Sequence, residues 1–364
     1  VIYEYGSLGA SGDLAPLAHL ALVLIGEGEV WEDDSIKSAE QWYKKEGLEA
    51  IQLKSKEGIS LLNGTQFMSA FGLWNVYMLD KILGIANHCA AISLEAFSGS
   101  IDPFRQELHE LRNSEGQIAV AKHICEILAG SKQLAKKKSY VQDPYSFRCV
   151  PQVHGASWTA LQHVKSIVEN EINAVTDNPT LLFKENVVVS GGNFHGQPLA
   201  LAYEYACMAT AELGSISERR IYKLLSGERG LPAFLVDEPG INSGFMIPQY
   251  TAASLVNRNK QLCAPNVTDT IDSSNGQEDH VSMGANVASK WKQIVDNVIQ
   301  ILAIEMLTAN QALEFTDSEL SSDKVHLLHV QYRKEIPFIK QDQILHHYIK
   351  KSLKFIHEHF DLYI

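Results

Sequence analysis

The sequence predicts a mainly α protein, a bundle of long helices with a small β-hairpin excursion near residues 31–60. Apolar residues recur at helical spacing over 67–96 and again over 287–306, and both stripes are much longer than an average helix. Helices of this length pack as a bundle. The segment 31–60 is charged, and Ile51 and Leu53 alternate there with polar neighbours, which indicates a pair of short strands.

Apolar periodicity places further helices along the chain. The segment 187–190 is typical of a short strand, and no internal repeat or linker is present, so we expect a single mainly helical domain over 1–364. Polar breaks at 139–155, 191–196 and 273–280 separate helical segments and favour functional loops. In chain order the predicted helices cover 14–26, 65–96, 117–134, 158–175, 198–226, 249–262, 287–306 and part of 336–364.

Composition argues against several classes of partner. The formal net charge is −12, so nucleic acid and anionic membranes would repel the surface. The apolar run 20–25 is too short to cross a bilayer. The five cysteines have no metal-like spacing and favour a reducing, cytoplasmic location. His357 and His359 are two apart in a helical segment and cannot share a metal face, so we expect no metal.

The chemistry of the chain is concentrated in Ala10-Ser11-Gly12, within a glycine-rich turn that leads into an apolar helix. In a tight bend, the unshielded nitrogen of Gly12 can reach the carbonyl carbon of Ala10 and close a five-membered ring with loss of water. A second dehydration at Ser11 leaves an electrophilic methylene, a built-in cofactor. Asp13 is placed to cap the following helix. Taken alone, the tripeptide favours an ordinary glycine-rich turn before a helix.

The surrounding string is more specific. Residues 6–19, Gly-Ser-Leu-Gly-Ala-Ser-Gly-Asp-Leu-Ala-Pro-Leu-Ala-His, resemble the signature of the histidine/phenylalanine ammonia-lyase family almost letter for letter. The resemblance implies an ammonia-lyase/fumarase-like helical fold and a 4-methylidene-imidazol-5-one (MIO) made from Ala10, Ser11 and Gly12. The loop typical of fumarase-type lyases, Gly-Ser-Ser-x-Met-Pro, is absent.

The resemblance also assigns residues around the ring. Asn63 matches an asparagine that contacts ring and substrate, although by pattern alone it is a helix N-cap. Tyr145 matches a tyrosine that lies against the electrophile, and Arg148 matches an arginine that pairs with the substrate carboxylate. These two are three apart and would share one helical face, and by pattern alone a surface ion pair is an equally good interpretation. Gln142 matches a glutamine near the same centre, and Phe194 an aromatic that closes the pocket or simply fills the core.

Glu278, in Gln-Glu-Asp-His-Val-Ser-Met, indicates the substrate. A carboxylate can accept a hydrogen bond from an imidazole N–H and gains nothing from a phenyl ring. The string resembles the histidine-acting branch of the family, and Met246 agrees with that branch. The implied reaction is elimination of ammonia from L-histidine to give trans-urocanate.

The family assembles as a homotetramer whose active sites take residues from three subunits, and we expect the same here. It also carries a tyrosine base and a substrate-recognising histidine upstream of the tripeptide, so we expect this chain to be the later part of a longer protein. A tyrosine or phenylalanine ammonia-lyase or aminomutase is the first alternative. A non-catalytic helical scaffold or inactive fragment is the second.

Overall fold

The computed structural model describes residues 1–359 and Tyr363, and most of these are helical. The prediction of a mainly α chain is therefore confirmed. The α-helices are α1 Ala15–Leu24, α2 Ala39–Glu46, α3 Glu57–Leu62, α4 Gln66–Ala96, α5 Gln106–Leu111, α6 Glu115–Ile127, α7 Lys132–Ala135, α8 Tyr145–Arg148, α9 Val150–Glu171, α10 Gln197–Leu224, α11 Met246–Leu262, α12 Gly284–Leu313, α13 Asp323–Glu335 and α14 His346–Glu358.

Two short antiparallel hairpins accompany the helices. Strand β1 (Glu29–Glu32) pairs with β2 (Ser35–Ser38), so the predicted hairpin is confirmed at the start of its segment. Ile51 lies outside the strands, because that segment continues into α2, an irregular stretch and α3. The second hairpin joins β3 (Thr180–Leu182) to β4 (Val187–Val189), which the sequence indicated only as a single strand.

The long helices follow the apolar stripes. Helix α12 has 30 residues, and its stripe is fully buried at Val287, Trp291, Ile294 and Val298. Burying side chains of this size contributes roughly 1.5–3 kcal/mol each. Helix α4 has 31 residues and ends at Ala96, as predicted.

The shorter elements were harder to predict. The segment predicted as one helix over 117–134 is two helices, α6 and α7, because Gly130 adopts a left-handed φ of 80° between them. Helices α2, α3, α5 and α13 were not predicted, and α9 begins at Val150, within the break predicted over 139–155. Within the predicted tail, α14 is present, and residues 360–362 and 364 lie outside the described residues.

The chain divides into two compact units, each described here by itself. Unit 1 comprises residues 1–76, 163–205 and 264–292, and unit 2 comprises residues 77–162, 206–263 and 293–364. The expectation of a single domain is not tested by this division and stays a prediction. In the part of the chain that the structure describes, no helix has both the length and the apolar character needed to span a bilayer.

The interior of unit 2 contains a buried ion pair. The guanidinium of Arg220 donates from Nε and Nη2 to the two carboxylate oxygens of Glu305, at 2.5 and 2.8 Å. Both side chains are fully buried, and the hydroxyls of Ser93 and Ser217 donate to the same carboxylate. The pair is therefore hydrogen-bonded on both of its carboxylate oxygens, as a charge removed from water requires.

Candidate active site

The turn at Ala10-Ser11-Gly12 is sharply bent. Ala10 and Gly12 pair with each other as an antiparallel bridge across Ser11, which places their backbones side by side. Gly12 has a left-handed φ of 78°, and a Cβ there would lie 2.2 Å from the backbone nitrogen of Gly64. Only glycine fits this position. Ala10 and Gly12 are buried, whereas Ser11 is partly exposed.

Asp13 holds this turn in place through buried hydrogen bonds. It is fully buried, and one carboxylate oxygen accepts the backbone N–H groups of Phe67 and Met68, at 2.9 and 3.1 Å, in the first turn of α4. Its other oxygen accepts the hydroxyl of Ser7 at 3.1 Å. Burial raises the pKa of Asp13 to about 6, although these hydrogen bonds oppose the shift.

The prediction that Asp13 caps the helix that follows it is wrong. Helix α1 begins after Leu14 and has no side-chain cap. The carboxylate caps α4 instead, so Asp13 joins the turn at 10–12 to the start of the long helix.

Asn63 lies beside the turn. Its side-chain Nδ2 donates a 2.8 Å hydrogen bond to the backbone carbonyl of Ser11. The side chain is 6% exposed, and its Oδ1 has no hydrogen-bond partner among the described residues. The sequence pattern alone indicated that Asn63 caps α4, but its side chain does not do so. Its amide is directed at the tripeptide 10–12.

Glu278 reaches the same turn from a loop 267 residues later in the chain. Its Oε1 accepts the hydroxyl of Ser11, and its Oε2 accepts the hydroxyl of Ser273 at 2.7 Å. Both hydrogen bonds lower the pKa of Glu278, and the bond from Ser11 has the larger effect. Unit 1 thus brings Ala10, Ser11, Gly12, Asn63 and Glu278 together.

Phe194 lies on a neighbouring loop of unit 1 and is half-buried. The backbone N–H of Gly196 donates to the carbonyl of Gly9 at 3.3 Å, which joins this loop to the turn at 10–12. His195 contacts the backbone carbonyl of His280 through Nε2 at 3.2 Å, so the Phe194 and Glu278 loops also meet.

Gln142, Tyr145 and Arg148 form a second group, within unit 2. Tyr145 and Arg148 share one face of α8, as their spacing predicted, with the guanidinium carbon 4.5 Å from the centre of the tyrosine ring. Tyr145 is largely exposed. The Nε of Arg148 is buried and has no hydrogen-bond partner among the described residues. Gln142 is exposed, and its backbone carbonyl accepts Nη2 of Arg229 at 3.4 Å.

Comparison with known proteins identifies the family. The model of the family described as aromatic amino acid lyase matches residues 1–334. The chain belongs to this family. It is 45% identical to histidine ammonia-lyase of Treponema denticola over 355 residues, which cover 97% of this chain and 70% of that protein. Its identity to histidine ammonia-lyase of Caldanaerobacter subterraneus subsp. tengcongensis is 49% over 317 residues, 86% of this chain and 62% of that one.

Solved structures agree with this assignment. The crystal structure of histidine ammonia-lyase from Trypanosoma cruzi matches with a TM-score of 0.92 and 38% identity, over 100% of this chain and 70% of that one. Tyrosine aminomutase from Streptomyces globisporus matches with a TM-score of 0.93 and 33% identity, over 99% of this chain and 72% of that one. As an aromatic amino acid lyase, the chain is an ammonia-releasing carbon–nitrogen lyase with an amino acid as substrate.

The residues present fit a ring made from the tripeptide. The bend, the glycine that alone fits at position 12 and the amide directed at the Ser11 carbonyl are what such a ring requires around it. Sequence reasoning missed the contribution of Ser273, and of Ser7 beneath the turn. Ser273 lies in a polar break that the sequence did mark, but no spacing there indicated its contact with Glu278.

Proposed function

We propose that this chain carries out histidine ammonia-lyase chemistry, in which L-histidine loses ammonia to give trans-urocanate. The observation that carries the proposal is the contact between Ser11 and Glu278, which sets a carboxylate directly against the tripeptide. A carboxylate suits a substrate with an imidazole N–H and offers nothing to a phenyl ring. The named relatives, histidine ammonia-lyases at 45% and 49% identity, support the same substrate.

We further propose that Ala10, Ser11 and Gly12 form the MIO ring by loss of two waters. When formed, the ring supplies an electrophilic methylidene conjugated to a carbonyl. That carbonyl oxygen is the oxygen of Ser11, to which Asn63 donates. The amide of Asn63 holds this oxygen and stabilises negative charge that develops on it.

Glu278 binds the substrate side chain. Loss of the Ser11 hydroxyl during dehydration would remove the partner of Oε1, and this oxygen could then accept the N–H of an imidazole. Oε2 keeps the hydroxyl of Ser273. The low pKa of Glu278 keeps it ionised near neutral pH, where a carboxylate also favours a cationic ring.

Arg148 binds the α-carboxylate of the substrate. A guanidinium donates two parallel hydrogen bonds to a carboxylate, and the unpartnered Nε of Arg148 leaves donor capacity for one. Tyr145 stacks on this guanidinium and fixes its plane. Gln142 lies on the same segment, and Phe194 is the aromatic that closes the pocket.

We propose that the protein is a homotetramer with active sites shared between subunits. Tyr145 is largely exposed, which leaves it accessible to a neighbouring protomer in a shared site. We also propose a cytoplasmic location. The five cysteines form no disulfide with one another, as in a reducing compartment.

Intact-mass spectrometry and a substrate panel test the proposal together. The purified protein should be lighter than its sequence by two waters, about 36 Da, whereas Ser11→Ala should lack this deficit and be inactive. L-histidine should yield an ultraviolet-absorbing acrylate, and L-tyrosine and L-phenylalanine should not. Turnover of tyrosine or phenylalanine alone would favour a sibling lyase or aminomutase, as the similarity to tyrosine aminomutase allows. A full sequence mass without activity would indicate a non-catalytic scaffold.

A further inference from the structure

The loop that carries Glu278 closes on itself in an unusual turn. Ser273 and Glu278 pair as an antiparallel bridge, with the N–H of Ser273 on the carbonyl of Glu278 at 3.0 Å and the reverse bond at 3.3 Å. Between them, Ser274, Asn275 and Gly276 all have left-handed φ values, of 52°, 53° and 80°. Left-handed backbone is unfavourable for a non-glycine residue, so the surrounding bonds must hold this turn.

The turn places a hydroxyl on the carboxylate. Ser273 donates to Oε2 of Glu278 at 2.7 Å, while Ser11 donates to Oε1. The Ser11 hydroxyl is lost if the tripeptide dehydrates as proposed above. Ser273 then continues to orient the carboxylate, and it does so more strongly than the side chain of Ser274, which also hydrogen-bonds to Glu278.

The rest of the loop is anchored at its two ends. Near its start, the backbone N–H of Asn266 donates to Glu204 at 2.5 Å. Near its end, the N–H of Val281 donates to the hydroxyl of Thr270 at 2.9 Å, and the N–H of Met283 to the carbonyl of Leu8 at 2.9 Å. These anchors fix the loop but do not touch the Glu278 carboxylate. Within the loop, the hydroxyl of Ser273 makes the strongest hydrogen bond to that carboxylate.

We propose that Ser273 is a positioning residue that selects one orientation of Glu278, with Oε1 presented to the imidazole of the substrate. This inference rests on the proposed function and deepens it. A glutamate side chain has three rotatable bonds, and ordering it on binding has an entropic cost. A hydroxyl that already holds Oε2 removes most of that cost before the substrate arrives.

The conservative variant is well matched to the backbone. Ser273 has φ −140° and ψ 176°, extended values that β-branched residues favour. Ser273→Thr therefore keeps the hydroxyl without straining the turn, and Ser273→Ala removes only the hydroxyl. Thr268 is exposed in the same loop, and its hydroxyl bonds to the carbonyl of Pro265 rather than to Glu278, so Thr268→Ala provides the control.

The first measurement is the KM for L-histidine in the assembled protein. Ser273→Ala should raise KM about tenfold with a smaller change in kcat, since a hydrogen bond to a charged group is lost. Ser273→Thr should restore the wild-type value, and Thr268→Ala should not change it. An unchanged KM in Ser273→Ala would overturn the inference. So would a Ser273→Thr variant as impaired as Ser273→Ala.

The second measurement does not depend on turnover. In Ser11→Ala protein, which cannot form the methylidene, calorimetry gives the Kd of L-histidine. Adding Ser273→Ala should weaken binding about tenfold, and adding Ser273→Thr should leave it unchanged. Equal affinity in all three proteins would refute the role of Ser273. The proposed function fails on a separate result, a wild-type protein that does not turn over L-histidine.

Discussion

The carboxylate of Asp13 accepts a 2.9 Å hydrogen bond from the backbone N–H of Phe67, 54 residues later in the chain. This bond joins Asp13, which directly follows the tripeptide 10–12, to the start of helix α4. Because the N-terminus of a helix presents unpaired N–H groups and a positive dipole end, it stabilises an anion there. Burial acts in the opposite direction and dominates, since the pKa of Asp13 is raised to about 6.

This raised pKa predicts a pH-dependent contribution to stability. Because the pKa of Asp13 is higher in the folded protein than its ordinary 3.8, folding favours the protonated form. The contribution is fully present below pH 3.8 and is lost as the pH rises through about 6. Asp13→Asn keeps the shape without the charge. The difference in unfolding free energy, wild type minus Asp13→Asn, should fall by up to about 3 kcal/mol between pH 4 and pH 7.

Denaturant unfolding at several pH values measures this difference. Glu171 is the nearby charge that also raises the pKa of Asp13, so Glu171→Gln should shift the same transition to lower pH. If the difference in unfolding free energy between wild type and Asp13→Asn stayed constant with pH, the raised pKa of the buried Asp13 would be contradicted.

Long helices could be predicted from the sequence because their apolar stripes repeat many times. The stripe of α12 is an example, and so is the end of α4 at Ala96. The partner of Asp13 could not be predicted, because local capping rules point to the adjacent helix and the true partner is distant in sequence. The contact of Ser273 with Glu278 depends on three left-handed residues that no periodicity indicates.

The hydrogen bond from Asn63 to the Ser11 carbonyl predicts a large loss of activity on truncation. Asn63→Ala removes the donor that holds this oxygen, and removal of one such donor lowers kcat by about 10²–10³-fold in other enzymes. Steady-state kinetics with L-histidine measures the effect. Asn173→Ala, which removes an exposed asparagine of the same unit, is the control and should leave kcat unchanged. A loss in kcat of less than threefold in Asn63→Ala would argue against this role.

The ion pair between Lys290 and Glu204 predicts a loss of stability. The ammonium of Lys290 lies 2.8 and 2.7 Å from the two carboxylate oxygens of Glu204, and both side chains are almost buried. Lys290→Met leaves the carboxylate without its partner and should cost about 3–5 kcal/mol. The double variant Lys290→Met/Glu204→Gln should recover part of this loss, because a neutral amide can still accept the N–H of Asn266.

Thermal and denaturant unfolding compare these variants. Lys260→Met, at an exposed lysine, is the matched control and should stay close to the wild type. If Lys290→Met were as stable as this control, the pair would have no structural role.

The contacts of Arg229 predict that it stabilises the segment 139–149, which carries Tyr145. Its guanidinium lies over the ring of Tyr140 and 5.0 Å from the ring centre of Phe97, and its Nη2 is 3.4 Å from the carboxylate of Asp143. A lysine keeps the charge but lacks the plane that stacks between two rings. We therefore expect Arg229→Lys to loosen the segment and to lower kcat/KM about tenfold.

Hydrogen–deuterium exchange over residues 139–149 measures that loosening directly. Exchange in this segment should be faster in Arg229→Lys and unchanged in Arg258→Lys, the same substitution at an exposed arginine of the same unit. Exchange over 139–149 is compared with exchange in the buried helix α12. General destabilisation would accelerate exchange in both, whereas loosening of the segment alone would leave α12 unchanged. If exchange over 139–149 stayed at the wild-type rate, Arg229 would not hold the segment that carries Tyr145 and Arg148.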